Sequence, residues 1–268
     1  MKALVNGNVL LTGATGGLGQ RLARAFAARG ATLTLTGRRA DVLDPLAAEL
    51  NARAVQCDMA DRDAVERLIA GSGDVDVLVA NAGIPGSGVL LDLTQEQIDR
   101  VLEVNLRAPV RLARGLAPGM VQRGRGHMVF VSSLSGKAAA PASSLYSATK
   151  FGLRGFALGI REDLHRDGVG ASVVLPGFIR DAGMFADAGV KLPPLARAFA
   201  GTSSPDDVAA AVIGVIERDR AERDVGTLPV RLGTALASVA PQLAARLSRR
   251  AGSEAIAAMI AEAQRDKR

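Results

Sequence analysis

The stretch Asn8-Val-Leu-Leu-Thr12-Gly13-Ala-Thr15-Gly16-Gly17-Leu18-Gly19, running on through Arg21-Leu-Ala-Arg-Ala-Phe-Ala-Ala-Arg29 to Gly30, decides the fold class. Its first five residues form a short apolar run, the pattern of a strand buried on both faces of a parallel sheet. Glycines crowd the next seven positions, and a helical pattern follows that stops at Gly30. A glycine motif acquires meaning from this context of strand, turn and helix. The turn allows close backbone approach to a ligand, and the helix N-terminus offers free N–H groups to a pyrophosphate. A glycine turn that merely packs is the alternative, and the rest of the chain must choose between them.

Next outward, Thr32-Leu-Thr-Leu-Thr36 alternates as a second strand and ends at Gly37-Arg38-Arg39. A dinucleotide-binding fold places its ribose-reading residue about twenty residues beyond the glycine turn. A carboxylate there would accept a bond from a 2′-hydroxyl. The chain instead has Arg38 and Arg39, which can clamp a 2′-phosphate through charge-assisted bonds. This favours NADP(H), with NAD(H) as the alternative. Further strands are expected over 54–57, 75–80, 127–132 and 171–175, and helices over 41–50 and 61–70. Thr94 and Gln97 make a capping box for a long helix that carries Asn105 and runs to about Arg123. Helices also follow over 146–166 and 205–218. Alternation at this spacing predicts an α/β fold, a Rossmann-like doubly wound parallel sheet with helices on both faces, as a single domain over 1–268.

The chemistry concentrates in Ser144-Leu-Tyr146-Ser-Ala-Thr-Lys150. Tyr146 is the only tyrosine, and Lys150 is one of five lysines. A four-residue offset on a helix puts the two side chains on one face. A cation there is expected to favour the phenolate and lower the phenol's pKa, so that the tyrosine can exchange a proton with an alcohol oxygen.

Composition sets the bounds. A chain of 268 residues, 48% hydrophobic and 22% charged, can bury a large core. No apolar run is long enough for a transmembrane helix, and the N-terminus lacks the apolar core of a signal peptide. With one cysteine, Cys57, a reducing, cytoplasmic setting is expected. The net charge of +6 is dispersed among 27 carboxylates with few aromatics, which argues against nucleic acid. Two distant histidines, His127 and His165, do not make a metal site.

Taken together, Thr12-Gly13-Ala-Thr15-Gly16-Gly17-Leu18-Gly19, Asp58, Asn81-Ala82-Gly83, Asn105, Ser133, Tyr146-x-x-x-Lys150 and Pro176-Gly177 resemble the short-chain dehydrogenase/reductase family in order and spacing. Gly13, Gly16 and Gly19 alone also fit the extended, epimerase-type branch. The Ser133-to-Tyr146 interval looks like the short oxidoreductase branch. The resemblance implies that Tyr146 is the general acid or base, that Lys150 holds the nicotinamide ribose and tunes Tyr146, and that Ser133 hydrogen-bonds the substrate oxygen. Asn105 would anchor a water behind Lys150, and Ser132 and Ser135 are rivals to Ser133. The implied cofactor site comprises Gly13, Thr15, Gly16, Gly17, Leu18, Gly19, Arg38, Arg39, Asp58, Met59, Asn81, Ala82, Gly83, Pro176, Gly177 and Ile179, with Tyr146 and Lys150. Where the family commonly has a threonine after Pro-Gly, this chain has Asp181. The implied activity is NADP(H)-dependent interconversion of a carbonyl and a secondary alcohol by a homodimer or homotetramer.

Two segments remain. Residues 177–200 carry Phe178, Met184, Phe185, Leu192, Leu195 and Phe199, and in the family this region covers the substrate, which implies an apolar substrate. Residues 225–268 form a C-terminal helical extension. Leu232, Leu236, Val239, Leu243 and Leu247 recur there at helical spacing, and no carboxylate lies between Asp224 and Glu254. A docked amphipathic tail is the expected reading, with a lid, a subunit contact or a membrane-surface helix as alternatives. A dinucleotide sensor without turnover is the rival from another functional class.

Overall fold

The computed structural model describes residues 4–180, 202–250 and 253–265. Seven strands form one parallel sheet: β1 (Asn8–Thr12), β2 (Thr32–Gly37), β3 (Arg53–Gln56), β4 (Val77–Ala80), β5 (Gly126–Val131), β6 (Val169–Pro176) and β9 (Glu222–Val225). Their spatial order is β3-β2-β1-β4-β5-β6-β9, so the winding reverses between β1 and β4. A small parallel pair, β7 (Phe178–Ile179) and β8 (Thr202–Ser203), lies apart from it. The strand β9 is absent from the sequence reading because Glu-Arg-Asp-Val shows no apolar run. It pairs with β6 at the sheet edge, where its charges find ionic partners.

Alternation along the strands sorts the core into two layers. On one face Val9, Leu11, Val77, Val79, Val129 and Val174 pack against α1 (Gly17–Ala27), α2 (Ala40–Glu49) and α7 (Pro205–Glu217). On the other, Leu10, Leu78, Met128, Phe130 and Val173 meet α3 (Arg62–Ala70), α4 (Gln95–Leu102), α5 (Ala108–Gln122) and α6 (Ser144–Leu164). Apolar helices on both faces oblige the central strands to be apolar on both faces.

The expected long helix from Thr94 does open with its capping box, formed in both directions. It is not one α-helix, however. A π-helical segment, Glu103–Arg107, interrupts it and carries Asn105. Such a segment shifts the backbone hydrogen bonds and is common at functional sites.

The C-terminal extension forms α8 (Leu228–Val239), α9 (Pro241–Arg250) and α10 (Ser253–Ala263). The docked-tail expectation fails for α8 and α9. Leu232, Val239, Leu243 and Leu247 are exposed, and only Leu236 is partly covered. No described helix is long and apolar enough to cross a membrane. Asp181 and most of the 177–200 segment lie outside the described residues.

Candidate active site

The crevice between the C-terminal ends of β1 and β4, where the winding reverses, is the place for a ligand in an open α/β sheet. Gly13 takes φ +69°, and a Cβ there would lie 2.8 Å from the Cα of Ala82. Only glycine fits so close an approach. Gly19 is equally constrained, since a Cβ would collide with the Gly13 carbonyl oxygen and lie 2.8 Å from the Cα of Ala14. Helix α1 is thereby seated directly on the turn. Its N-cap, Gly16, supplies no side-chain cap, and its first turn holds no acidic residue. This end of the helix is therefore suited to an anion.

Thr12 joins the two strand ends. The backbone N–H groups of Asn81 and Ala82 each donate to its hydroxyl at 3.0 Å, and the Asn81 side chain donates to the Thr12 carbonyl at 3.0 Å. Gly83 continues the wall. A Cβ on it would stand 3.4 Å from Asn105 Oδ1 and 3.7 Å from Lys150 Nζ. The joining role of Thr12 rests on partners 69 and 70 residues away and has no local signal.

At the end of β2, Arg38 and Arg39 diverge. Arg39 donates to the carbonyl of Thr15, whereas Arg38 lies half-exposed 4.0 Å from Asp58. Asp58 also accepts from the N–H of Ala60 at 2.9 Å and from Arg100 at 3.2 Å. Burial alone would raise its pKa, but these donors outweigh it and hold the carboxyl below its usual range. Arg100, on α4, reaches Asp58 from 42 residues away, a distance that leaves no local signal. The side chains of Met59 and Leu18 are buried in the core. Thr15 is buried against Gly37, with its carbonyl accepting from Arg39 and from Gln20 at 3.4 Å. Pro176 ends β6, Gly177 donates to Val225 O at 2.8 Å, and Ile179 packs half-buried on the core.

Beyond β5 the serines separate. Ser132 is buried and donates to the Lys150 carbonyl at 2.9 Å. Ser133 accepts from the N–H of Ser135 at 3.1 Å, and its hydroxyl also meets the Tyr146 phenol. The geometry thus favours Ser133 over both rivals. Lys150 Nζ donates to Val131 O at 3.2 Å and sits 5.5 Å from the centre of the Tyr146 ring.

Burial pushes the Tyr146 phenol up to about 12, against the opposite pull of the Ser133 bond. It also pushes Lys150 down to about 8. Burial thus dominates the phenol, and the opposing pull comes from Ser133 rather than from Lys150. The Asn105 side chain is engaged within the protein. Its amide accepts from the N–H of Ile84 at 2.8 Å and donates to Ile84 O at 2.9 Å. Fully buried, it pins the loop after β4.

Residues 7–191 match the family model for short chain dehydrogenases. The chain belongs to the short-chain dehydrogenase/reductase family. It is 33% identical over 267 residues to the Dehydrogenase/reductase SDR family member 7B of Bos taurus, covering 92% of this chain and 82% of that one. It is 34% identical over 263 residues to the Ketoacyl reductase HetN of Nostoc sp., covering 93% and 90%. Among solved structures, a short-chain dehydrogenase from Sphingobium yanoikuyae in complex with NADPH superposes with a TM-score of 0.77 at 28% identity, covering 88% of this chain and 94% of that one. As a short-chain dehydrogenase/reductase the protein is an oxidoreductase acting on a small-molecule substrate with a nicotinamide dinucleotide. The glycine turn and the uncapped α1 fit that partner.

Two further features shape the site. Lys137, three residues beyond Leu134, is nearly buried and bridges Glu222 at 2.5 Å and Asp224 at 2.7 Å, tying the loop after Ser133 to β9. Gly86 lies so near Tyr146 that a Cβ would stand 3.2 Å from its backbone nitrogen. Next to it, Ser87 donates to Gln264 of the C-terminal extension at 2.7 Å, with both residues buried. Partners 177 residues apart leave no local signal in the sequence. Among the described residues no cluster of His, Cys, Asp or Glu is placed to hold a metal.

Proposed function

We propose that the enzyme is an NADPH-dependent carbonyl reductase producing a secondary alcohol, with Ser133, Tyr146 and Lys150 as its catalytic residues. The observation that carries this reading is the meeting of the Ser133 hydroxyl and the Tyr146 phenol beside the buried Lys150 ammonium. The phenol keeps its proton at neutral pH, which is the state a general acid starts from when a carbonyl is reduced. The bound dinucleotide supplies the hydride. Tyr146 gives its proton to the carbonyl oxygen as charge develops there. Ser133 already accepts from Ser135, so its own proton is available to the same oxygen. Lys150 lies in reach of the Asn105–Gly83 wall and offers a cation for ribose hydroxyls and for recharging Tyr146. With the Asn105 side chain committed to Ile84, a relay water behind Lys150 would rest on the backbone of the π-helical segment.

NADP over NAD is supported chiefly by Arg38, which lies half-exposed at the end of β2, and by the NADPH-bound structural relative. Arg39 braces the glycine turn from behind. The apolar residues of 177–200 support a largely apolar substrate. Homo-oligomer formation through α5 and α6 belongs to the same reading, and Phe151 on α6 is 43% exposed. Steady-state turnover on a panel of apolar ketones, with NADPH and NADH side by side, tests the proposal. NADPH should be preferred by roughly tenfold or more, one well-placed charge-assisted bond being worth about 1.5–3 kcal/mol. Equal use of both cofactors would remove Arg38 from the ribose site.

A further inference from the structure

Helix α8 is turned the opposite way from an ordinary surface helix. Val230, Thr234 and Ser238 face the body of the protein. Val230 packs on the core, and the Ser238 hydroxyl donates to Lys137 O at 3.2 Å. The opposite stripe, one turn apart at each step, is Leu228, Leu232, Ala235 and Val239, all exposed. Leu228 is 64%, Leu232 61% and Val239 82% accessible. Helix α9 repeats the inversion, with Ala244, Ala245 and Ser248 partly covered and Leu243 and Leu247 exposed. Beside those leucines stand the exposed Arg246, Arg249 and Arg250. Leu236 and Arg231 are partly covered, but Leu228, Leu232, Val239, Leu243 and Leu247 meet solvent together with Arg246, Arg249 and Arg250.

A contiguous apolar face of this kind calls for a partner. Charge identifies it. The segment between Asp224 and Glu254 holds Arg231, Arg246, Arg249 and Arg250 and no carboxylate. A twofold contact with a second copy would set this face against itself, arginine against arginine. An anionic bilayer surface complements both features at once. The leucines enter the boundary between headgroups and acyl chains, and the arginines stay at headgroup level among the phosphates.

We infer that α8 and α9 form a docking surface for an anionic phospholipid bilayer, binding the enzyme peripherally. The helices lie in the plane of the interface and do not span it.

The full-length protein is sedimented with vesicles of pure phosphatidylcholine and with vesicles in which roughly a third of the lipid is phosphatidylserine. Binding is expected only to the anionic vesicles. Replacing Arg246, Arg249 and Arg250 by Gln should weaken it roughly a hundredfold, at about 1 kcal/mol per basic residue near the surface. Replacing Leu228, Leu232, Leu243 and Leu247 by Ser should weaken it by about tenfold or more. These side chains are exposed, so both variants should keep the wild-type unfolding temperature and turnover without vesicles. Absence of vesicle binding by the wild type overturns the inference, as does binding that the variants retain. A wild-type oligomer that the serine variant dissociates, without vesicle binding, would assign the face to a second copy instead.

Discussion

At the scale of single residues, the half-buried Tyr146 and the buried Lys150 lie side by side, and loss of solvation dominates both. Tyr146 is held neutral and Lys150 is made easier to discharge. Replacing Tyr146 by Phe keeps the ring and removes the transferable proton. Turnover should fall by roughly 10²–10⁴, while dinucleotide binding, followed by fluorescence titration, stays near wild type. A variant keeping a substantial part of wild-type turnover would refute the acid role. The lysine adds a pH dependence with a definite sign. Lys150 loses its proton as pH rises through about 8. If its cation supports the reaction, kcat/KM for reduction should decline above that point, and a profile flat through pH 8 would show that the cation is not needed.

The glycine turn makes its case at the scale of elements. Gly19→Ala forces α1 away from the Gly13 carbonyl and Ala14, which should destabilise the fold by about 1–3 kcal/mol. The same shift should weaken the dinucleotide site. Chemical denaturation and cofactor titration on the one variant report both effects, and unchanged values in both would show that the turn is not tightly seated. The end of β2 behaves similarly. An aspartate at position 37 is the obvious device for recruiting NADH, since a carboxylate repels a 2′-phosphate and accepts from a hydroxyl. Yet a Cβ at Gly37 would lie 2.6 Å from Thr15 Cγ2. Gly37→Asp with Arg38→Ser should therefore lose affinity for both cofactors, and adding Thr15→Ala should be needed before NADH is preferred. Measured affinities for NADPH and NADH across the single, double and triple variants separate the two effects.

The whole molecule carries a pH dependence of stability in its sheet. His127, fully buried on β5, hydrogen-bonds Ser172 across to β6 at 2.7 Å, and Ser172 in turn donates to Arg220 O at 2.6 Å. Ser172 thus accepts from Nε2–H, and Nδ1 has no partner. Burial lowers the His127 pKa to about 4, with Asp219 pulling it up and Arg161 pushing it down. The unfolded chain takes a proton near pH 6.5, whereas the folded one does not until about pH 4. Stability is therefore full above pH 6.5 and is lost progressively as pH falls toward 4, by up to about 3 kcal/mol. Denaturant titrations across that range should show the loss in the wild type and a shallower dependence in His127→Asn. Equal slopes would place the acid sensitivity elsewhere.

Much of this protein was legible in one dimension because its signals are local. Apolar runs, a glycine turn that only glycine can make, a capping box and a four-residue tyrosine–lysine offset are each set by neighbours in the chain. They sufficed for the fold class, six of the seven strands of the large sheet and the pairing of Tyr146 with Lys150, while Ser133 joined that pair only through the family resemblance. What the tertiary structure alone decided depends on partners far apart in sequence. Charged β9 is a strand because β6 leaves it an edge and Lys137 and Arg154 neutralise Glu222. Asn105, carried on a π-helical segment, bonds Ile84 from 21 residues away. Arg39 is drawn to Thr15, while Arg38 lies beside Asp58, just beyond β3. Helical spacing told only that the C-terminal leucines share a face. Which way that face points follows from what the rest of the molecule leaves uncovered, and it points outward.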